Sequence, residues 1–105
     1  MTDALVVLVT TPSPERAAEI ARALVEERLA ACGNVVPGLR SIYRWEGKVQ
    51  DDAEALLVLK TTRARFEALR DRVLALHPYE VPEVIALPVE AGSAPYLAWI
   101  AAETR

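Results

Sequence analysis

The chain holds one histidine, and the residues around it are those that ligate metals or move protons. His77 stands against Pro78, with Glu80 and Glu83 close behind in HPYEVPE. Imidazole nitrogen and carboxylate oxygen together suit divalent transition ions such as copper. A lone histidine is a poor metal site, because closed sites draw on several nitrogen or sulfur donors. The other reading of His77 is local: an imidazole in a last helical turn bonds free carbonyls and, when charged, favours the negative end of the dipole. The only thiol, Cys32, offers a soft metal ligand or one half of a thiolate–imidazole pair. Its neighbours in LAACGN are small, which fits a packed, inert cysteine better. Tyr43 and Trp45, two apart in SIYRWE, have the spacing of base-stacking aromatics. RNA-binding sheets carry such aromatics on two central strands with basic residues and glycines, and the apolar runs ALVVLVT and ALLVLK contain none. A packing or interface role suits Tyr43 and Trp45 better. Glycine-rich phosphate loops, C-x-x-C, H-E-x-x-H and G-x-S-x-G are all absent.

These residues must be held by elements that the sequence marks. Ala4 to Thr10 is a β-branched apolar run, hence a buried strand. Ser13 caps and Pro14 opens a helix running to about Ala30 or Ala31. Its inner row is Ala18, Ala21, Val25 and Leu29, with Ala17, Ile20 and Leu24 beside it. Gly33 to Gly38 reads as a turn-rich entry with a bulge or bend at Pro37-Gly38. Ser41 to Glu46 alternates as a strand, Glu46-Gly47-Lys48 is a turn, and Ala53 to Thr61 returns as a second strand. Thr62 caps a second helix with the stripe Phe66, Leu69, Val73 and Leu76, stopped by His77-Pro78. Glu83 to Val89 is a strand that contains Pro88, hence an edge strand or a strand end. Ser93 starts a short terminal helix, Pro95 to about Glu103, with Tyr96, Trp99 and Ile100 inward.

Strand, helix, strand, strand, helix, strand is the ferredoxin-like order: an α+β fold, an antiparallel sheet with both helices on one face, plus a short C-terminal helix. Two strands are apolar on both faces, so the second sheet face needs cover. A second copy of the chain is the simplest cover.

The totals agree. At 105 residues the chain is expected to be one domain, 1–105. A net charge of −3 argues against nucleic acid as a partner. The N-terminal apolar run is too short for a membrane span or signal peptide, and a single cysteine fits a reducing compartment, so a cytoplasmic location is expected. Ten arginines, with one each of Asn, Gln, Cys and Met, suggest a thermostable protein, although a GC-rich genome also favours arginine.

LAACGNVVPG (Leu29 to Gly38), SIYRWEGKV (Ser41 to Val49), LKTT (Leu59 to Thr62), HPYEVPEVIALPV (His77 to Val89) and YLAWI (Tyr96 to Ile100) together resemble the CutA family of divalent-cation tolerance proteins. The resemblance covers nearly the whole chain. It implies a ferredoxin-like subunit similar to PII signalling proteins, a compact homotrimer, a role in the response to metal ions, copper above all, and no enzymatic reaction. It implies metal contact by a cysteine at the end of the first strand and two adjacent histidines before Pro-Tyr. Those positions are Thr10, Leu76 and His77 here, so the ligand set expected is His77, Glu80, Glu83 and Cys32, with weak binding and no required cofactor. The other function in play is a PII-like regulator whose inter-subunit clefts bind a small ligand or a partner protein. A hydrolytic or redox enzyme using Cys32, His77 or the glutamates is a third reading.

Overall fold

The structure is a computed structural model, and it describes residues 2–105. The elements follow as β1 (Ala4–Thr11), α1 (Pro14–Glu26), β2 (Cys32–Trp45), β3 (Lys48–Thr62), α2 (Arg63–Leu76), β4 (Ile85–Pro88) and α3 (Ala94–Glu103). The four strands form one antiparallel sheet in the order β2-β3-β1-β4, the ferredoxin-like arrangement. β4 is an edge strand and Pro88 its last residue, as a proline without a ladder N–H requires.

Pleating divides the sheet residues cleanly. Val7, Val9, Leu57 and Leu59 point to one face and are completely buried. Ile20 and Leu24 of α1 and Leu69 and Val73 of α2 pack with them in a single core. Gly33 of β2 allows α1 to approach, because a Cβ there would stand 2.8 Å from the Cβ of Ala21. α1 turns Ala17, Ile20, Ala21 and Leu24 inward. Ala18 and Val25, expected in the buried row, are exposed, so the row is rotated by one residue.

α1 also stops earlier than its sequence suggests. Arg28 adopts φ 60°, the left-handed region, and the N–H groups of Leu29 and Ala30 both turn back to the Leu24 carbonyl. No glycine or asparagine marks this end. The Arg28 side chain holds the conformation instead, donating to the carbonyls of Ala102 (2.7 Å) and Arg105 (3.1 Å) at the end of α3. A non-glycine left-handed residue costs roughly 1–2 kcal/mol, which such charge-assisted bonds offset.

β2 and β3 are much longer than their alternating cores. They run through the Val36/Leu39 bulge, where Gly38 has φ 83°, to a tight turn at Glu46-Gly47 with φ 51° and 76°. Two consecutive positive φ values give the type I′ turn that matches strand twist. β1 pairs with β3 only as far as Ala55, so the outer hairpin is a two-stranded ribbon, and the molecule extends over 44 × 25 × 22 Å. Arg40 grips Asp51 across the ribbon with two bonds, 2.9 and 2.7 Å. Both groups are exposed, so the pair contributes to register more than to stability.

Ser13 caps α1 through its hydroxyl, bonded to the Arg16 N–H at 3.1 Å. Thr62 and Ser93 begin α2 and α3 without a side-chain capping bond, contrary to expectation. In α3 only Ile100 of the expected stripe is buried. Leu97 packs beside it against Ala4 and Ala31, while Tyr96 and Trp99 stack on each other at the surface, ring centroids 5.5 Å apart. α3 therefore covers one end of the second sheet face. The rest of that face, Val6, Leu8, Leu56 and Val58 with the half-exposed Ile85 and Leu87, has no helix over it. No helix among the described residues is long and apolar enough to cross a membrane.

Candidate functional site

α2 ends where the sequence places it, and His77 is the reason. The His77 N–H closes the last turn on the Val73 carbonyl at 2.9 Å. Its ring is buried and both nitrogens are engaged. Nδ1 accepts from the Tyr79 backbone N–H at 3.1 Å, so Nε2 carries the proton and donates to the Thr10 carbonyl at 2.7 Å. The imidazole thus fastens the end of α2 to the end of β1 and bends the chain toward β4. The Tyr79 ring leans on it, centroids 4.7 Å apart at 51°.

That bend builds one wall of a groove of about 690 Å³, whose opposite wall is the hairpin ribbon. Ile42, Trp45, Pro78 and Val81 supply apolar surface, and Glu54, Glu80 and Glu83 supply carboxylates. Among the described residues, no lysine, arginine or histidine lines it. The Tyr79 hydroxyl donates to Glu54 at 2.6 Å, and the Tyr43 hydroxyl donates to Asp52. Burial, then the bond to Glu54 and its charge, push the Tyr79 phenol well above its ordinary range. The bond to Asp52 is the main cause that raises the Tyr43 phenol. Burial first, and the charge of Glu54 second, hold the Glu83 carboxyl above the usual carboxylate range.

The raised Glu83 has a measurable consequence. A carboxyl whose folded pKa lies above its unfolded value binds protons better when folded, so its ionisation opposes folding at neutral pH. Glu83→Gln is expected to raise the melting temperature at pH 7. The gain should shrink as pH falls through the raised folded pKa and vanish below about 4, where the unfolded carboxyl is protonated too. Paired melting curves across that range check it, and a gain that is constant with pH refutes it.

The expected ligands separate. Glu80 and Glu83 face the groove, joined by Glu54, while His77 lies behind it with its nitrogens occupied. Cys32 is at the far end of β2, opposite Lys60, its thiol 3.6 Å from Asn34 Oδ1. Cys32 and His77 do not form a thiolate–imidazole pair, since β2 and β3 carry the thiol away from the end of β1 that His77 bonds. Among the described residues, no three His, Cys, Asp or Glu side chains gather closely enough to hold a metal ion within one chain. Sequence reading missed Glu54, Asp52 and Tyr79. The D-x-E spacing, which puts Asp52 and Glu54 on one strand face, was the available clue.

His77→Ala removes the partners of the Tyr79 N–H and the Thr10 carbonyl together. About 1–3 kcal/mol of stability should be lost, with His77→Asn, which keeps an acceptor near the Nδ1 position, losing less. Equal denaturation midpoints for wild type and His77→Ala would remove the structural role.

Residues 5–103 match the family model for CutA1 divalent ion tolerance protein. The chain is 60% identical over 99 residues to the divalent-cation tolerance protein CutA of Thermus thermophilus, covering 94% of this chain and 96% of that one. It is 55% identical over 92 residues to human Protein CutA, covering 88% of this chain but 51% of the human protein, so it spans about half the length of that relative. Among solved structures it is similar to CutA of Xylella fastidiosa at TM-score 0.96 and 42% identity, over 99% of this chain and 100% of that one. It also resembles the Thermus thermophilus divalent cation tolerance protein at TM-score 0.90 and 60% identity, over 92% and 94% of the two chains. The chain belongs to the CutA1 divalent ion tolerance protein family.

Proposed function

We propose that the protein acts in the response to divalent metal ions as a homotrimer that binds copper or a similar ion weakly, through the groove carboxylates Glu80 and Glu83 with Glu54. The observation that carries this reading is the groove itself, which is lined by three carboxylates and, among the described residues, by no cationic side chain. Oxygen donors hold divalent ions, and a single chain supplies too few in one place, so donors from a neighbouring copy complete the shell. Trimerisation is supported by the uncovered apolar sheet face and by the hairpin ribbon. A two-stranded hairpin is marginally stable alone, so packing of this ribbon against a neighbouring copy would stabilise it. The function is binding rather than catalysis, and the lone free thiol fits the reducing cytoplasm.

Calorimetric titration with Cu²⁺ and Zn²⁺ tests the metal site. The double substitution Glu80→Gln and Glu83→Gln should abolish binding, while His77→Asn, whose parent imidazole is already engaged, should leave most of it. Binding lost in His77→Asn and kept in the double variant would move the site to the imidazole. No binding by wild type would end the metal-binding reading and favour a PII-like regulator. Calorimetry should also show unfolding above roughly 90 °C, the range of hyperstable proteins, since assembly adds to the ion-pair-rich surface. A transition near 60 °C would leave base composition as the source of the arginines.

A further inference from the structure

The groove has room for a small molecule as well as for an ion. A water molecule occupies about 30 Å³ of liquid, whereas the groove encloses about 690 Å³, within the range typical of small-ligand sites. Its walls combine two recognition elements that rarely serve one neutral or anionic ligand. Tyr43, Trp45 and Tyr79 present aromatic surface, whose negative faces attract cations. Glu54 and Glu83 present carboxylates that feel each other's charge. The Tyr79 hydroxyl fixes one oxygen of Glu54, which leaves the other to accept from a ligand. Glu83 makes no hydrogen bond or ion pair among the described residues, although it is partly withdrawn from water. An anion would meet three carboxylates here, and a neutral ligand would leave two of them uncompensated in a partly desolvated site.

We infer that the groove binds an organic ammonium ligand, its cationic head between Glu54, Glu83 and the tyrosine rings and its apolar body against Trp45, Ile42 and Val81. The inference uses two of the carboxylates proposed above for the metal ion, Glu54 and Glu83, so ion and ammonium compete for the groove, and titration without metal separates the two readings.

Benzyltrimethylammonium is the probe, titrated calorimetrically into the native assembly in the presence of EDTA so that no metal contributes. Benzyl alcohol and benzenesulfonate, neutral and anionic relatives of similar size, are titrated at the same ionic strength. The cation should bind at least about tenfold more tightly than either, through cation–aromatic attraction acting together with the two carboxylates. Glu54→Gln with Glu83→Gln, which keeps side-chain size and an acceptor for Tyr79, should remove at least about tenfold of that affinity. Asp71→Asn, on the exposed side of α2, should not change it. Equal binding of all three compounds, no binding of the cation, or full affinity in the double variant each overturns the inference. The comparison among the three compounds on wild-type protein needs no variant to fold.

Discussion

Val58→Asp is expected to convert the assembled protein into monomers of 11.5 kDa. Val58 lies on the sheet face that no helix covers, flanked in register by Leu8 of β1 and Asn34 of β2. Leu8 pairs in turn with Ile85 of the edge strand, so the row is apolar across three strands. In a monomer Val58 is half-buried and a carboxylate there stays solvated at modest cost. In an assembly that closes this face, the same carboxylate is desolvated without a partner. That penalty is several kcal/mol per ion, and it recurs in every copy. Light scattering at micromolar concentration distinguishes the outcomes. Wild type should scatter as three copies and Val58→Asp as one, with far-ultraviolet circular dichroism unchanged. A wild type that is already monomeric would remove the trimer, and a Val58→Asp variant that remains trimeric would place the interface elsewhere. Trp45→Ala, at the hairpin tip, should weaken assembly less severely, because it deletes an anchor without adding a charge.

Leu57→Ala and Leu56→Ala should differ sharply although the residues are adjacent. Leu57 is fully buried between the sheet and both core helices, and its side chain nears the space beside Gly33. Truncating it removes transfer energy and leaves a cavity, about 2–5 kcal/mol for a buried leucine. Leu56 points to the uncovered face, beside Thr10 and Val36. In the proposed trimer its loss weakens the contact between copies, so its effect on the melting temperature should grow as protein concentration falls toward the dissociation range, whereas that of Leu57→Ala should persist at every concentration. Melting curves over a hundredfold dilution series read this directly. Parallel behaviour of the two variants would mean that both faces are covered within one chain.

Tyr79 and Glu54 show where reading from sequence reached its limit. Strand order, helix faces and the stop at His77-Pro78 follow from local patterns: periodicity of apolar residues, proline geometry and turn chemistry act within a few residues. Where a local marker was absent, the expectation failed. Arg28 ends α1 without glycine because its side chain reaches carbonyls 74 and 77 residues away. The outer halves of β2 and β3 are polar, and only their pairing makes them strands.

The sequence by itself determined the α+β order, the apolar second face of β1 and β3, and the family, because these are carried by spacing and by contiguous motifs. It also brought His77, Glu80 and Glu83 into view. Only the tertiary structure decided what each does. Long-range bonds from the His77 ring to Thr10 and from Tyr79 to Glu54 turn the imidazole into a fastener and place the carboxylates in a groove. Cys32 is removed from that site by the length of the sheet, a separation that no sequence spacing encodes, since chain folding sets distance by strand register and not by residue number.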